Sequence, residues 1–180
     1  MTILGLTLRH PWPVAVRWLH KDVENRLWHP EDRGGHVGMY LAIHGGTTPI
    51  SRYEDEFVDG LRSIRRVLTT PEHPNTLNPA IAALWTPEES EHFFGQLNGK
   101  DDANWVESGI VAVTQVVAVV RNSPSRWAAA GQYHWVLSGT VRLPEPITPP
   151  PGNRKDLWTL DDTTLRAVRH AYREALKPAA

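Results

Sequence analysis

The sequence predicts an α+β domain: a small curved sheet or β-barrel flanked by helices, with a helical stretch in the middle and a helix at the C-terminal end. Three observations predict it. Strand-like segments gather at the two ends of the chain, helix-like stripes lie between them, and a last apolar stripe at helical spacing closes the sequence.

The elements follow in order. Gly5 to Leu8 is a short strand, after which Pro11 and Pro13 punctuate. Pro13 suits the first turn of a helix over Val14 to Leu19. Val23 to Trp28 is a second strand and Pro30 to Gly35 a polar turn. Val37, Met39, Leu41 and Ile43 alternate with Gly38, Tyr40, Ala42 and His44, the pattern of a half-buried third strand. Ser51-Arg-Tyr-Glu54 has the spacing of a capping box, and Phe57, Leu61, Ile64 and Leu68 form one helical stripe behind it. Pro71 to Pro79 reads as a loop. Thr86-Pro87-Glu88-Glu89 is a second capping box, followed by Phe93, Phe94 and Leu97. Asn98 to Asn104 is polar and reads as a loop.

Strand patterning then returns. Ile110 to Val120 is a β-branched run, expected as a central strand buried on both faces. Tyr133 to Leu143 is another strand, interrupted near Ser138-Gly139. Pro144 to Gly152 is proline-rich and expected as an extended connection, and Leu157 to Leu160 as a last strand. Asp161 or Asp162 can cap a final helix bearing Leu165, Val168, Tyr172 and Leu176.

Composition sets broad limits. A chain of 180 residues is long enough for one domain with its own core. With no cysteine, disulfides and thiolate metal sites are excluded. No basic stretch followed by a long apolar run opens the chain and no apolar segment could span a bilayer, so the expected location is cytoplasmic. A net charge of −1 argues against coating long duplexes by bulk electrostatics, but not against recognising one nucleotide. Eight tryptophans is high for this length; most are expected in packing, and an excess of indole also suits stacking on bases or sugars.

The chemistry concentrates between Leu6 and Trp28. Alternation puts Glu24, Arg26 and Trp28 on one face of the second strand, with Val23 and Leu27 on the other. A carboxylate, a guanidinium and an indole make poor core material but can grip a planar, hydrogen-bonding ligand. Lys21 is a ligand-facing cation or a solvated turn residue. Glu24 reads a donor edge or forms a salt bridge to Arg26 or Lys21. Arg26 meets phosphate or holds Glu24 in place. Trp12 is an aromatic wall or a core plug; Trp28 is a stacking surface; His10 and His44 sit at strand ends. His134 and Trp135 point to opposite faces, so at most one reaches a shared cleft. Arg62, Arg65 and Arg66 with Arg52 form a basic helix face that meets a nucleic-acid backbone or simply water. No metal spacing, phosphate loop, dinucleotide-binding glycine pattern or nucleophile elbow is present.

These residues resemble the ASCH domain of the PUA-like superfamily. The family pattern is a strand ending in Gln-Pro-Trp, a short helix, then Gly-x-Lys-x-x-Glu-x-Arg. Here it stands as His10-Pro11-Trp12, then Lys21, Glu24 and Arg26. The resemblance continues through Trp28, Arg33-Gly34 and Leu41-Ala-Ile-His44. It returns as Gly109-Ile-Val-Ala-Val, Tyr133-His-Trp135-Val-Leu, Leu143-Pro144-Glu-Pro146, and Gly152 with Leu157-Trp158. Leu19 stands where the family has glycine, and His10 where glutamine is common.

The resemblance implies a single ASCH, PUA-like β-barrel domain over residues 1–180, with an insertion at about 46–108 and a cleft beside the first helix. It implies a partner that is RNA or DNA, or a nucleoside or nucleotide with a modified base. The expected ligand-binding residues are His10, Trp12, Lys21, Glu24, Arg26, Trp28 and His44. No cofactor, metal or membrane partner is expected.

The alternative is a hydrolase acting on RNA or on a modified nucleoside, with Lys21 and Glu24 as catalytic acid and base. Related amidohydrolases use a threonine three residues after the lysine; Glu24 stands there, so their mechanism does not carry over. A third reading is a protein–protein adaptor that docks through the insertion.

Overall fold

The computed structural model describes residues 2–70, 76–89, 105–152 and 154–177. Among these, the protein is a mixed α+β fold built on one six-stranded, curled half-barrel sheet. In chain order the elements are β1 (Ile3–Leu8), α1 (Trp12–Trp18), β2 (Val23–Arg26), a 3-10 turn (Pro30–Arg33), β3 (Tyr40–Gly45) and a second 3-10 turn (Ile50–Arg52). There follow α2 (Glu54–Leu68), α3 (Pro79–Ala82), α4 (Pro87–Glu89), β4 (Gly109–Val120), β5 (Tyr133–Ile147), β6 (Leu157–Thr159) and α5 (Asp162–Ala175). The sheet order is β2-β5-β4-β3-β1-β6. Only β1 and β3 run parallel. Irregular registers along β4–β5 and near Ile43 bend the ladder, and Gly139 takes the left-handed conformation (φ +61°) where the register shifts.

Period-2 alternation sorts the strand side chains onto two covered faces. Leu6, Leu8, Leu41, Ile43, Val111 and Trp135 pack with Val16 of α1. Ile3, Ala42, Ile110, Val113 and Leu143 pack with Val168 of α5. The other side of α1, through Val14, Ala15 and Leu19, meets Phe57, Ile64 and Leu68 of α2. Helix α1 is thus enclosed between the sheet and α2, which explains its almost wholly apolar sequence. No described helix is long and apolar enough to cross a membrane.

Several expectations are corrected. β3 is buried on both faces rather than half-buried, because α5 covers the second one and sets Tyr172 edge-on to Tyr40. β4 is buried only as far as Val116, whose backbone still bonds Gly38 and Met39. Beyond Val116 it keeps β5 alone, which exposes Val117 and Val120. β5 runs on through Pro144 and Pro146 to Ile147, so the connection is shorter than its prolines suggest. Ser51 does not cap α2: it lies in the preceding 3-10 turn, and Tyr53 occupies the cap position with no side-chain bond. The second capping box does form, Thr86 and Glu89 each accepting from the other's backbone N–H. Asp161 caps α5, accepting from the N–H groups of Thr163 and Thr164. The stretch 46–108 carries α2, α3 and α4. Of the loop expected at 71–79, residues 76–78 are irregular and Pro79 opens α3, while 71–75 lie outside the described residues, as do the Phe93, Phe94, Leu97 stripe and the polar 98–104 loop.

Candidate functional site

The β1–α1–β2 unit builds the site. The His10–Pro11 peptide is cis, and Pro13 occupies the first turn of α1. The helix ends at Leu19, which is fully buried, and His20 takes the left-handed conformation (φ +53°). The turn therefore places its positive φ one residue after the expected glycine position. Histidine is among the side chains that tolerate this region. Lys21 N–H then returns to Ala15 O at 3.1 Å, which turns the Lys21 side chain inward.

Lys21 and Glu24 are 3% and 6% exposed. Lys21 Nζ donates to Val23 O and, at 2.8 Å, to Glu24 Oε2. It also lies 5.5 Å from the centroid of the Trp12 ring. Arg26 Nε stands 3.0 Å from the other carboxylate oxygen of Glu24. Burial works against ionisation of Glu24, but the adjacent Lys21 ammonium and Arg26 guanidinium outweigh it and hold the carboxyl below its ordinary range. The result is a fixed, ionised carboxylate between two cations, each oxygen of which keeps a second lone pair.

A cleft of about 330 Å³ opens over this group. Trp12, Lys21 and Glu24 line it, with Asn25 from the same strand, Ser63, Arg66 and Val67 from α2, and Arg126 to Ala129 with Gln132 from the β4–β5 connection. That volume lies at the small end of ligand pockets and suits one base or nucleotide, not a folded strand.

Three expected residues, Trp12, Lys21 and Glu24, come together in the cleft. Arg26 supports it from beside Glu24. The structure does not bring Trp28, His10 or His44 into its lining. Trp28 packs edge-on against Trp135, with ring centroids 4.8 Å apart, and lies under the guanidinium groups of Arg26 and Arg33. His10 Nε2 hydrogen-bonds Gly46 O at 2.9 Å. His44 Nδ1 shares a hydrogen bond with the Thr7 hydroxyl, and its ring meets Trp158 edge-on. Burial first, then the positive fields of Arg154 and His10, push the His44 imidazole down to about 4. Neither His134 nor Trp135 reaches the cleft. Trp135 is fully buried, while His134 is tied to the loop behind it through Ser123 N–H and Ala129 O.

Sequence reasoning missed Asn25, Arg126 and Trp127. Asn25 Nδ2 donates to Trp127 O at 2.8 Å, and its Oδ1 accepts from Ala129 N–H at 2.9 Å. One side chain on β2 thus clamps the loop that carries the second indole of the cleft. The tryptophan excess was the only hint of Trp127. The basic face of α2 also divides: Arg62 pairs with Asp59, whereas Arg66 lines the cleft.

Among the described residues, no group of three histidines and carboxylates is placed to hold a metal ion. In comparison with known proteins, the chain matches no family model and no curated protein.

Proposed function

We propose that this protein is an ASCH-like, PUA-like nucleic-acid-binding module that accepts one nucleotide or modified base of RNA or DNA in the cleft beside α1. The observation that carries the reading is a cleft of single-nucleotide size with indoles at Trp12 and Trp127 in its lining and the buried Lys21–Glu24 pair at its base. The partly buried Trp12 indole offers a stacking surface, while Trp127, packed into the core, lends the cleft an apolar edge. The free lone pairs of Glu24 accept from an amino or imino edge, and Asn25 holds the loop wall in place. The curled half-barrel with α1 against one face supports the PUA-like comparison. The chain's small net charge suits recognition of one nucleotide rather than of a long phosphate backbone.

The same site disfavours hydrolysis. The Lys21 and Arg26 cations hold the Glu24 carboxyl below its ordinary range, which makes it a weak proton acceptor for a general base.

The test is a titration followed by tryptophan fluorescence and thermal shift. It uses nucleosides, modified nucleosides and short single-stranded RNA and DNA, with wild type beside Trp12→Leu and Lys21→Ala. Every mixture is then examined by mass spectrometry. Saturable binding that Trp12→Leu weakens, with ligand mass unchanged, supports a reader. Product that depends on Lys21 replaces the reader with a hydrolase. Absence of both binding and product overturns the proposal and directs attention to the 46–108 stretch and a protein partner.

A further inference from the structure

The lining of the cleft is more cationic than a neutral base requires. Lys21, Arg66 and Arg126 face it, and among the described residues Glu24 is the sole carboxylate in the lining. Lys21 is consumed by Glu24, and Arg26 behind it adds a further positive charge to the same pair. Arg66 and Arg126 differ from these. Both are exposed, and neither has a carboxylate partner among the described residues. Their neighbours on the same elements are occupied: Arg62 by Asp59 on α2, and Arg121 by the Tyr133 ring, 3.7 Å from its centroid.

Resting on the base-binding reading above, we propose that the cleft takes a phosphorylated nucleotide rather than a free base or nucleoside, with Arg66 and Arg126 holding the phosphate. The two arginines come from different segments, α2 and the β4–β5 connection, yet line one pocket. Both guanidinium forks are unspent, and a forked guanidinium matches phosphate oxygens bidentately. The division of labour follows from burial. The enclosed Lys21–Glu24 pair suits the uncharged base, which loses little on leaving water. The solvent-facing arginines suit a dianion that is costly to dehydrate. A mononucleotide and a terminally phosphorylated strand end present the same monoester dianion, so both belong to the ligand class.

The experiment compares one nucleoside, its 5′-monophosphate, its 3′-monophosphate, a dinucleotide and inorganic phosphate by calorimetric titration, using whichever base binds. Wild type is run beside Arg66→Gln and Arg126→Gln, with Arg66→Lys and Arg126→Lys as a second pair. The expected result is a monophosphate that binds about tenfold or more tightly than its nucleoside. That ratio collapses in each Gln variant, is intermediate in each Lys variant, and shrinks with added salt. The dinucleotide shows whether a phosphodiester serves as well as a terminal phosphate. Equal affinity for nucleoside and monophosphate overturns the phosphate inference and leaves the base reading standing. A ratio untouched in all four variants overturns the assignment to these arginines. Inorganic phosphate binding as tightly as the nucleotide also overturns it, because the arginines are then an anion site unconnected to the base. Failure of every nucleoside and nucleotide to bind overturns both readings together.

Discussion

Lys21 and Glu24 stand three residues apart with Nζ 2.8 Å from Oε2, and their side chains are only 2% and 8% exposed. A local sequence motif has thus become a buried ion pair beneath a cleft. Removing one partner of such a pair strands the other charge out of water, which costs roughly 3–5 kcal/mol. Arg26 also touches Glu24, but its side chain is 22% exposed and keeps access to solvent. Glu24→Gln is therefore expected to destabilise the fold by about 3 kcal/mol or more, and Arg26→Gln by about 1 kcal/mol. Urea denaturation measures both. Replacing both partners together, as Lys21→Met with Glu24→Leu, recovers much of the loss because no charge is left stranded. Equal losses for the two single variants would contradict the burial ranking.

Stability falls as pH drops from neutral, in two stages. The unfolded His44 imidazole takes up a proton near its ordinary 6.5, whereas the buried ring does so only at about 4. Between those values the unfolded state binds more protons, so acid favours unfolding. For His44 alone the shift corresponds to at most about 3 kcal/mol. His10 adds to the same slope, since burial lowers it too. The second stage is that of Glu24, whose stabilising charge is fully present above the unfolded value of 4.5 and lost as pH falls through its depressed folded value. His44→Gln should flatten the slope between pH 6.5 and 4 without removing the loss below it. A wild-type stability that stays level over that upper range refutes the assignment.

What the sequence made legible follows from the range of each signal. Alternation and helical stripes depend on neighbours within one element, so β1, α2 and α5 stand where the pattern puts them, whereas β3 begins at Tyr40 rather than at Val37, which is exposed. Lys21, Glu24 and Arg26 were visible because they lie within six residues on one turn and one strand. Trp127, Arg126 and Arg66 were not visible as cleft residues. They reach it through Asn25, His134 and the packing of α2 on α1, contacts between segments far apart in the chain. Identical local spacing also gave opposite outcomes at the two capping boxes. The Thr86 box closes, while Ser51 is drawn into a 3-10 turn.

Asn25 is expected to matter for the loop more than for its own strand. Its amide satisfies one carbonyl and one N–H of residues 127–129. Asn25→Ala removes both partners and should cost about 1–3 kcal/mol. Hydrogen exchange at Ala129 should accelerate more than at β4 amides, and ligand affinity should fall with it. Asn25→Asp keeps the acceptor but sets a carboxylate against Trp127 O, so it should not restore the loop. Unchanged exchange at Ala129 in Asn25→Ala would show that the loop is held by other contacts.

Gly60 offers the sharpest test of how α2 is held over the cleft. In an exposed helix, Gly→Ala stabilises by about 1 kcal/mol, because glycine loses more backbone freedom on folding. Here a Cβ on Gly60 would stand 2.6 Å from Pro11 Cδ and 3.1 Å from its Cγ. A proline ring in the turn between β1 and α1 cannot swing aside, so α2 itself has to move. Gly60→Ala should therefore destabilise by about 1–3 kcal/mol, the cost of overpacking. Because α2 carries Ser63, Arg66 and Val67 into the cleft, ligand affinity should drop although Gly60 is absent from its lining. Chemical denaturation and the nucleotide titration read the two effects separately. A stabilised Gly60→Ala with unchanged affinity would mean that α2 does not rest on Pro11, and the cleft would lose one of its walls.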